Sequence, residues 1–127
     1  MDQKEPIHYV EFGARDLPAT KSFFAEAFGW TFVDYGPDYA SIQNAGLDGG
    51  FFTSDKQADA DTGSALVILY SATLEDARDR VLKAGGTIKK AIFSFPGGRR
   101  FHFVEPSGNE LAVWSDRNAD GTTVGED

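Results

Sequence analysis

Two amphipathic stretches, each preceded by an extended run and closed by glycine, divide this chain into halves of one pattern. Near the N-terminus Val10 and Phe12 fall on one side of an extended strand and Tyr9 and Glu11 on the other, because successive strand side chains alternate. After Ala19 the apolar positions Phe23, Phe24, Ala27 and Phe28 recur at helical spacing. Asp16 stands at the N-cap position, Pro18 is tolerated in the first turn, and Gly29 is the stop. The order then returns. Residues 65–70 form an apolar run, and Thr73 is a second N-cap with Asp76 three residues on, close to a capping box. Ala77, Val81, Leu82 and Ala84 give a buried stripe, and Gly85-Gly86 ends it. The pattern predicts a βαβββ unit over residues 6–53 and a second over about 64–115.

The later strands extend the argument to faces. Leu111 and Val113 alternate with Glu110, Ala112 and Trp114, and Phe101 and Phe103 alternate with Arg100, His102 and Val104. The apolar sets belong against the helices. The mixed set of Tyr9, Glu11, Arg100, His102, Glu110, Ala112 and Trp114 then lines the opposite, concave face, and Leu66, Ile68 and Tyr70 give that face an apolar wall. The expected fold is α+β, with two tandem modules forming curved mixed sheets around a cleft. Residues 54–63 read as a linker between the halves, and residues 93–98 as a loop beside the cleft, either a lid or a plain surface loop. The Gly108-Asn109 pair reads as a turn selected for backbone freedom. Residues 1–116 make one domain, and the polar stretch 117–127 is expected to be a frayed tail.

Composition narrows the partners. A net charge of −8 argues against a nucleic-acid backbone and against anionic membrane surfaces. No run of about 18 apolar residues is available to span a bilayer, and the first five residues lack the apolar centre of a signal peptide. A cytoplasmic location is the default. The absence of Cys excludes disulfides, thiolate metal sites and Cys nucleophiles.

Aromatic and aliphatic walls with a few polar groups are the composition of a small-molecule pocket. The candidate ligand-binding residues are Tyr9, Glu11, Leu66, Ile68, Arg100, His102, Glu110 and Trp114. Arg100 can clamp a carboxylate or phosphate. Glu11 and Glu110 can accept hydrogen bonds from an amine or hydroxyl. Glu11 and His102 are the candidates for acid–base catalysis. Each has a plainer reading: a Glu11–Arg100 ion pair across the cleft, a hydrogen-bonded strand histidine at 102, a solvated rim charge at Glu110, and packing roles for Tyr9 and Trp114. His8 falls toward the helix side or the rim.

The arrangement resembles the vicinal oxygen chelate superfamily, also called the glyoxalase, bleomycin-resistance and extradiol-dioxygenase superfamily. The matching residues are the Asp16-Leu17 helix start, the Phe28-Gly29-Trp30 helix end, the Thr73-Leu74-Glu75-Asp76-Ala77 start with Ala84-Gly85-Gly86, and the turn Val104-Glu105-Pro106-Ser107-Gly108-Asn109-Glu110-Leu111. The resemblance covers about residues 6–116. It implies paired βαβββ modules and a homodimer, and for many members one divalent metal held by His and Glu at equivalent strand positions. Those positions fall here on Tyr9, Leu66, Ala112 and Gly50 or Phe51. His8 lies one residue out of register, which turns its side chain to the other face. Hydrocarbon at these positions cannot supply the convergent O or N donors that such metals need. The metal site therefore reads as lost, and no cofactor is expected. Three functions stay open. One is metal-independent binding of a small polar or aromatic molecule, in the manner of bleomycin-resistance proteins. Another is a lyase, isomerase or dioxygenase using a displaced divalent metal or metal-free acid–base chemistry. The third is a non-catalytic association subunit.

Overall fold

A computed structural model describes residues 4–125. The first half runs β1 (Tyr9–Ala14), α1 (Leu17–Phe28), β2 (Thr31–Asp34), β3 (Tyr39–Gln43) and β4 (Asp48–Thr53). After a short 3-10 turn at Ala60–Thr62 the second half runs β5 (Val67–Tyr70), α2 (Leu74–Lys83), β6 (Thr87–Phe95), β7 (Gly98–Val104) and β8 (Glu110–Ser115). Each half forms its own mixed four-stranded sheet. The orders are β1-β4-β3-β2 and β5-β8-β7-β6, with the first strand of each module parallel to the last and the others antiparallel. The expected tandem βαβββ architecture is the one observed. Among the described residues, no helix is long and apolar enough to cross a membrane.

The helices form where their signals stand. Asp16 Oδ1 accepts from the Ala19 amide at 3.1 Å, and Gly29 closes α1 at φ 74°, a left-handed conformation that glycine adopts without strain. Thr73 departs from expectation: its side chain makes no cap bond. The Ser71 hydroxyl instead accepts from the Thr73 amide at 3.1 Å. Leu82, assigned to the buried stripe, is 51% exposed, because α2 turns only Leu74, Ala77 and Val81 fully into the core.

The strand faces follow the alternation. Phe12, Phe101, Phe103, Leu111 and Val113 are buried on the helix side. One aromatic pile joins the halves. In α1, Phe24 stacks on Phe51 of β4 and on Trp30, with centroids 5.5 and 4.4 Å apart, while its neighbour Phe23 lies 5.7 Å from Phe103 of β7. The two sheets thus share a single core.

A polar seam completes the union. The buried Asn109 side chain donates to the Gly13 carbonyl at 2.7 Å and accepts from the Ala58 amide at 2.8 Å. Its backbone has no positive φ, so its place is explained by this bridging and not by backbone freedom. Thr20 donates to the buried Glu105 carboxylate at 3.0 Å, and Ser107 Oγ accepts from the Asp16 amide at 2.9 Å. The Ser107 amide and Asn109 Nδ2 also donate to Glu105. Burial outweighs these bonds and holds the Glu105 carboxyl above the usual range.

Two segments differ from their sequence reading. Residues 93–95 are the end of β6 and not a loop; only the Pro96-Gly97 corner turns. Residues 117–124, expected to fray, fold back on themselves and onto Asp116. Val124 donates to the Asp116 carbonyl at 2.7 Å and Asn118 to the Thr122 carbonyl at 2.7 Å. Arg99 anchors the start of the segment by donating to the Arg117 carbonyl at 2.9 Å. Backbone and Arg99 hydrogen bonds, which composition does not report, order this polar stretch. Residues 126–127 of the expected tail, and the first three residues of the N-terminal segment, lie outside the described residues.

Candidate functional site

The helix-free faces of the two sheets carry the candidate residues, Leu66 excepted, but in two separate groups. No hydrogen bond or ion pair among the described residues joins Tyr9 or Glu11 to Arg100, His102, Glu110 or Trp114. Glu11 and Arg100 therefore do not form the ion pair that remained open from the sequence.

On the first sheet Tyr9 and Glu11 stand in register with Asp48 and Gly50 of β4, and Gly50 faces Ser41 of β3. Tyr39, which the sequence gave no reason to single out, reaches over this surface. Its hydroxyl donates to Glu11 Oε2 at 2.9 Å and touches the Tyr9 hydroxyl. A Cβ at Gly50 would overlap the Tyr39 hydroxyl and Cζ, so glycine here is the space that the tyrosine fills. Burial, Tyr9 and the Glu11 carboxylate together hold the Tyr39 phenol above its usual range, which keeps it neutral.

On the second sheet two rows run across four strands. One is Tyr70, Trp114, Arg100 and Phe93; the other is Ile68, Ala112, His102 and Lys90. Leu66 lies half-buried just before β5. Two register shifts in β6 flank Lys90 and bring Phe93 over the face. The Arg100 guanidinium lies 5.3 Å from the Phe93 ring and 5.7 Å from Phe95, and the Phe93 ring also lies 5.9 Å from the His102 ring. Tyr70 packs edge-on to Trp114 at 5.2 Å, and Phe95 lies 6.4 Å from the same indole.

Beside this aromatic face sits a buried polar relay. Glu110, which the plainer reading made a solvated rim charge, is only 2% exposed. Its carboxylate accepts from Lys89 Nζ at 2.7 Å and from the Ala60 amide at 3.0 Å, and bonds His102 Nδ1 at 2.9 Å. The linker has closed over it, which strand alternation alone does not foretell. Burial pushes the Glu110 carboxyl upward, but Lys89, His102 and the Ala60 amide outweigh it and bring it down to about 2. Lys89 also contacts Asp59 and Asp61 at 3.2 and 2.9 Å, and these carboxylates with Glu110 hold its ammonium above the usual lysine range. An ionised Glu110 at Nδ1 favours the tautomer whose Nε2 is an acceptor. His102 is 2% exposed, and its Nε2 has no hydrogen-bond partner; the same holds for the buried Nε of Arg100.

A divalent cation does not fit the residues present. The positions that the resemblance assigns to its ligands hold Tyr9, Leu66, Ala112 and Gly50 or Phe51; Phe51 is buried against α1, and the Gly50 socket is occupied by the Tyr39 phenol. His102 and Glu110 bond each other. Among the described residues no group of three or more His, Asp or Glu side chains is placed to hold a metal ion, and the carboxylates of Asp59, Asp61 and Glu110 gather on the Lys89 ammonium instead. His8 is exposed before β1 begins and faces no such cluster.

A separate groove of about 640 Å³ lies where the free edges of β1 and β5 approach. It is lined mainly by Val10, Phe12, Trp30, Val67, Leu69 and the end of α1. Of the residues that the sequence assigned to the cleft face it includes Ile68 and Tyr70.

Comparison with known proteins bears on the fold. A profile for the Glyoxalase/Bleomycin resistance protein/Dioxygenase superfamily matches residues 6–113. Among curated proteins no sequence matches. A crystal structure of a glyoxalase/bleomycin resistance protein/dioxygenase family enzyme from Burkholderia phytofirmans PsJN superposes with a TM-score of 0.71 at 16% identity, covering 84% of this chain and 95% of that one. A glyoxalase-related enzyme from Fulvimarina pelagi gives 0.69 at 22% identity, covering 95% and 98%. A lactoylglutathione lyase from Agrobacterium tumefaciens gives 0.67 at 17%, covering 90% and 96%.

Proposed function

The chain belongs to the Glyoxalase/Bleomycin resistance protein/Dioxygenase superfamily, and from that membership we propose that it binds a small polar or aromatic molecule without a metal. The observation that carries this reading is the contrast between two surfaces. The positions where relatives place metal ligands hold Tyr9, Leu66, Ala112 and either a glycine filled by Tyr39 or the buried Phe51, whereas the helix-free face of the second sheet offers Tyr70, Trp114, Phe93 and Phe95 around one arginine. Such a wall contributes affinity through apolar burial, and the arginine contributes orientation. The protein acts in this reading in the cytoplasm and as a homodimer, with neither nucleic acid nor membrane as partner.

A metal-free acid–base enzyme is the second reading, favoured by the Glu110–His102 pair. That pair replaces Glu11 as the partner of His102, since Glu11 is engaged by Tyr39 on the other sheet. Elemental analysis of untagged protein decides between metal-free and metal-dependent readings. The expected result is far less than one divalent ion per chain and a melting temperature indifferent to chelator. A stoichiometric ion whose removal lowers the melting temperature overturns the proposal. Oligomeric state is checked by light scattering, where a mass near twice 13.8 kDa is expected.

A further inference from the structure

We infer that Arg100 and His102 form one recognition site for an aromatic acid carrying a hydrogen-bond donor, hydroxyl or amine, beside its carboxylate. The inference rests on the ligand-binding reading above and names the class of ligand.

Arg100 is the strongest pointer. Among the described residues Arg100, like several other Lys and Arg, has no carboxylate within ion-pair distance, but it is the one arginine with a buried nitrogen that lacks a hydrogen-bond partner. Stacking on Phe93 and Phe95 engages the faces of those rings and leaves the in-plane Nε–H unbonded. An unpaired buried donor on a cation costs more than a neutral one, and a ligand carboxylate is the partner that removes the cost.

His102 supplies the second half. Its Nδ1 is committed to Glu110, which Lys89 and the Ala60 amide fix in place. Its Nε2 is the orphan, and in the tautomer favoured by Glu110 it accepts. Residues two apart on a strand project from the same face about 7 Å apart. Arg100 and His102 therefore present one donor and one acceptor side by side, beneath the same Phe93 ring. The complement is a group with an anionic acceptor next to a donor, as in an α-hydroxy or α-amino acid. Its aromatic part would lie against Tyr70, Trp114 and Phe95, the apolar surface beside Arg100. Phe93, on the bulged edge strand, must swing aside to admit it.

Calorimetry and 15N NMR of the full chain test this with five probes: 3-phenyllactate, phenylalanine, 3-phenylpropanoate, which lacks the donor, and the amides of the first two, which lack the carboxylate. The expected result is binding of phenyllactate or phenylalanine, with shifts of the Arg100 Nε–H and His102 Nε2 resonances. Which of the two binds tighter identifies the hydroxyl or amine source. The amides and phenylpropanoate should each bind at least tenfold more weakly. Arg100→Met should abolish the preference for acid over amide. His102→Asn, whose amide can still donate to Glu110, should abolish the preference for phenyllactate or phenylalanine over phenylpropanoate. The wild-type resonances keep the test independent of whether either variant folds. Equal binding of acids and amides, or binding that leaves both resonances unmoved, overturns the inference while leaving a metal-free binder in place. Absence of binding by all five probes overturns it as well. A stoichiometric metal ion in the elemental analysis would overturn the reading beneath it.

Discussion

At the scale of single residues, Gly50 and Tyr39 are one unit. The Cβ of Gly50→Ala would overlap the Tyr39 ring, so the substitution is expected to destabilise by about 2 kcal/mol, a typical overpacking cost. Tyr39→Ala in the same background removes the obstacle, so the double variant should be more stable than the sum of the single effects by about 1 kcal/mol or more. Urea midpoints of the four proteins check this, and strict additivity would contradict it. Glu110 gives a second residue-level prediction. Its folded pKa is depressed to about 2, below the ordinary 4.5. The stability it contributes is therefore fully present above about pH 4.5 and is lost as pH falls through about 2. Denaturation at pH 5, 4, 3 and 2 should show a steeper acid loss in the native protein than in Glu110→Gln. Parallel curves would show that the carboxylate is not held ionised by Lys89 and its other partners.

At the scale of elements, the two helices make a controlled comparison of capping. Asp16 makes its cap bond and Thr73 does not. Asp16→Ala should cost about 1 kcal/mol, whereas Thr73→Ala should stay within about 0.5 kcal/mol. In the second helix the effect belongs to Ser71, whose hydroxyl receives the Thr73 amide, so Ser71→Ala should exceed Thr73→Ala. Thermal unfolding of the three variants gives the ranking. The β6 strand shows a different lesson. Its composition near Phe93, with Pro and two glycines close by, resembles a loop. Its ladder with β7 nevertheless continues to Gly98 through two shifts, because a bulge absorbs the extra residues while preserving most backbone bonds.

At the scale of the whole molecule, the turn before β8 joins the halves. Asn109 ties β1 to the linker, Ser107 meets the Asp16 amide, and Glu105 gathers Thr20 from α1. Asn109→Ala would leave the Ala58 N–H and the Gly13 carbonyl without their partners, each buried or half-buried, at a cost of about 2–3 kcal/mol. Hydrogen exchange should then accelerate at Ala58, and the two modules should lose protection together because they share the Phe23, Phe24 and Phe103 pile. Faster exchange confined to one module would show that the core is not common to both.

The sequence by itself determined the repeat, the element order, and which face of each strand meets the helices. These follow from local periodicities: 3.6 for the helices and 2 for the strands, with Asp16, Gly29 and Gly85 as punctuation. It also placed Arg100 and His102 on one face, since they lie two apart on a strand. The tertiary structure alone decided how the candidates group. Tyr39 reaches Glu11 from another strand, the linker closes over Glu110, and Lys89 arrives through a bulge. Each of these contacts joins residues at least 21 positions apart, and no periodicity within a strand carries that information.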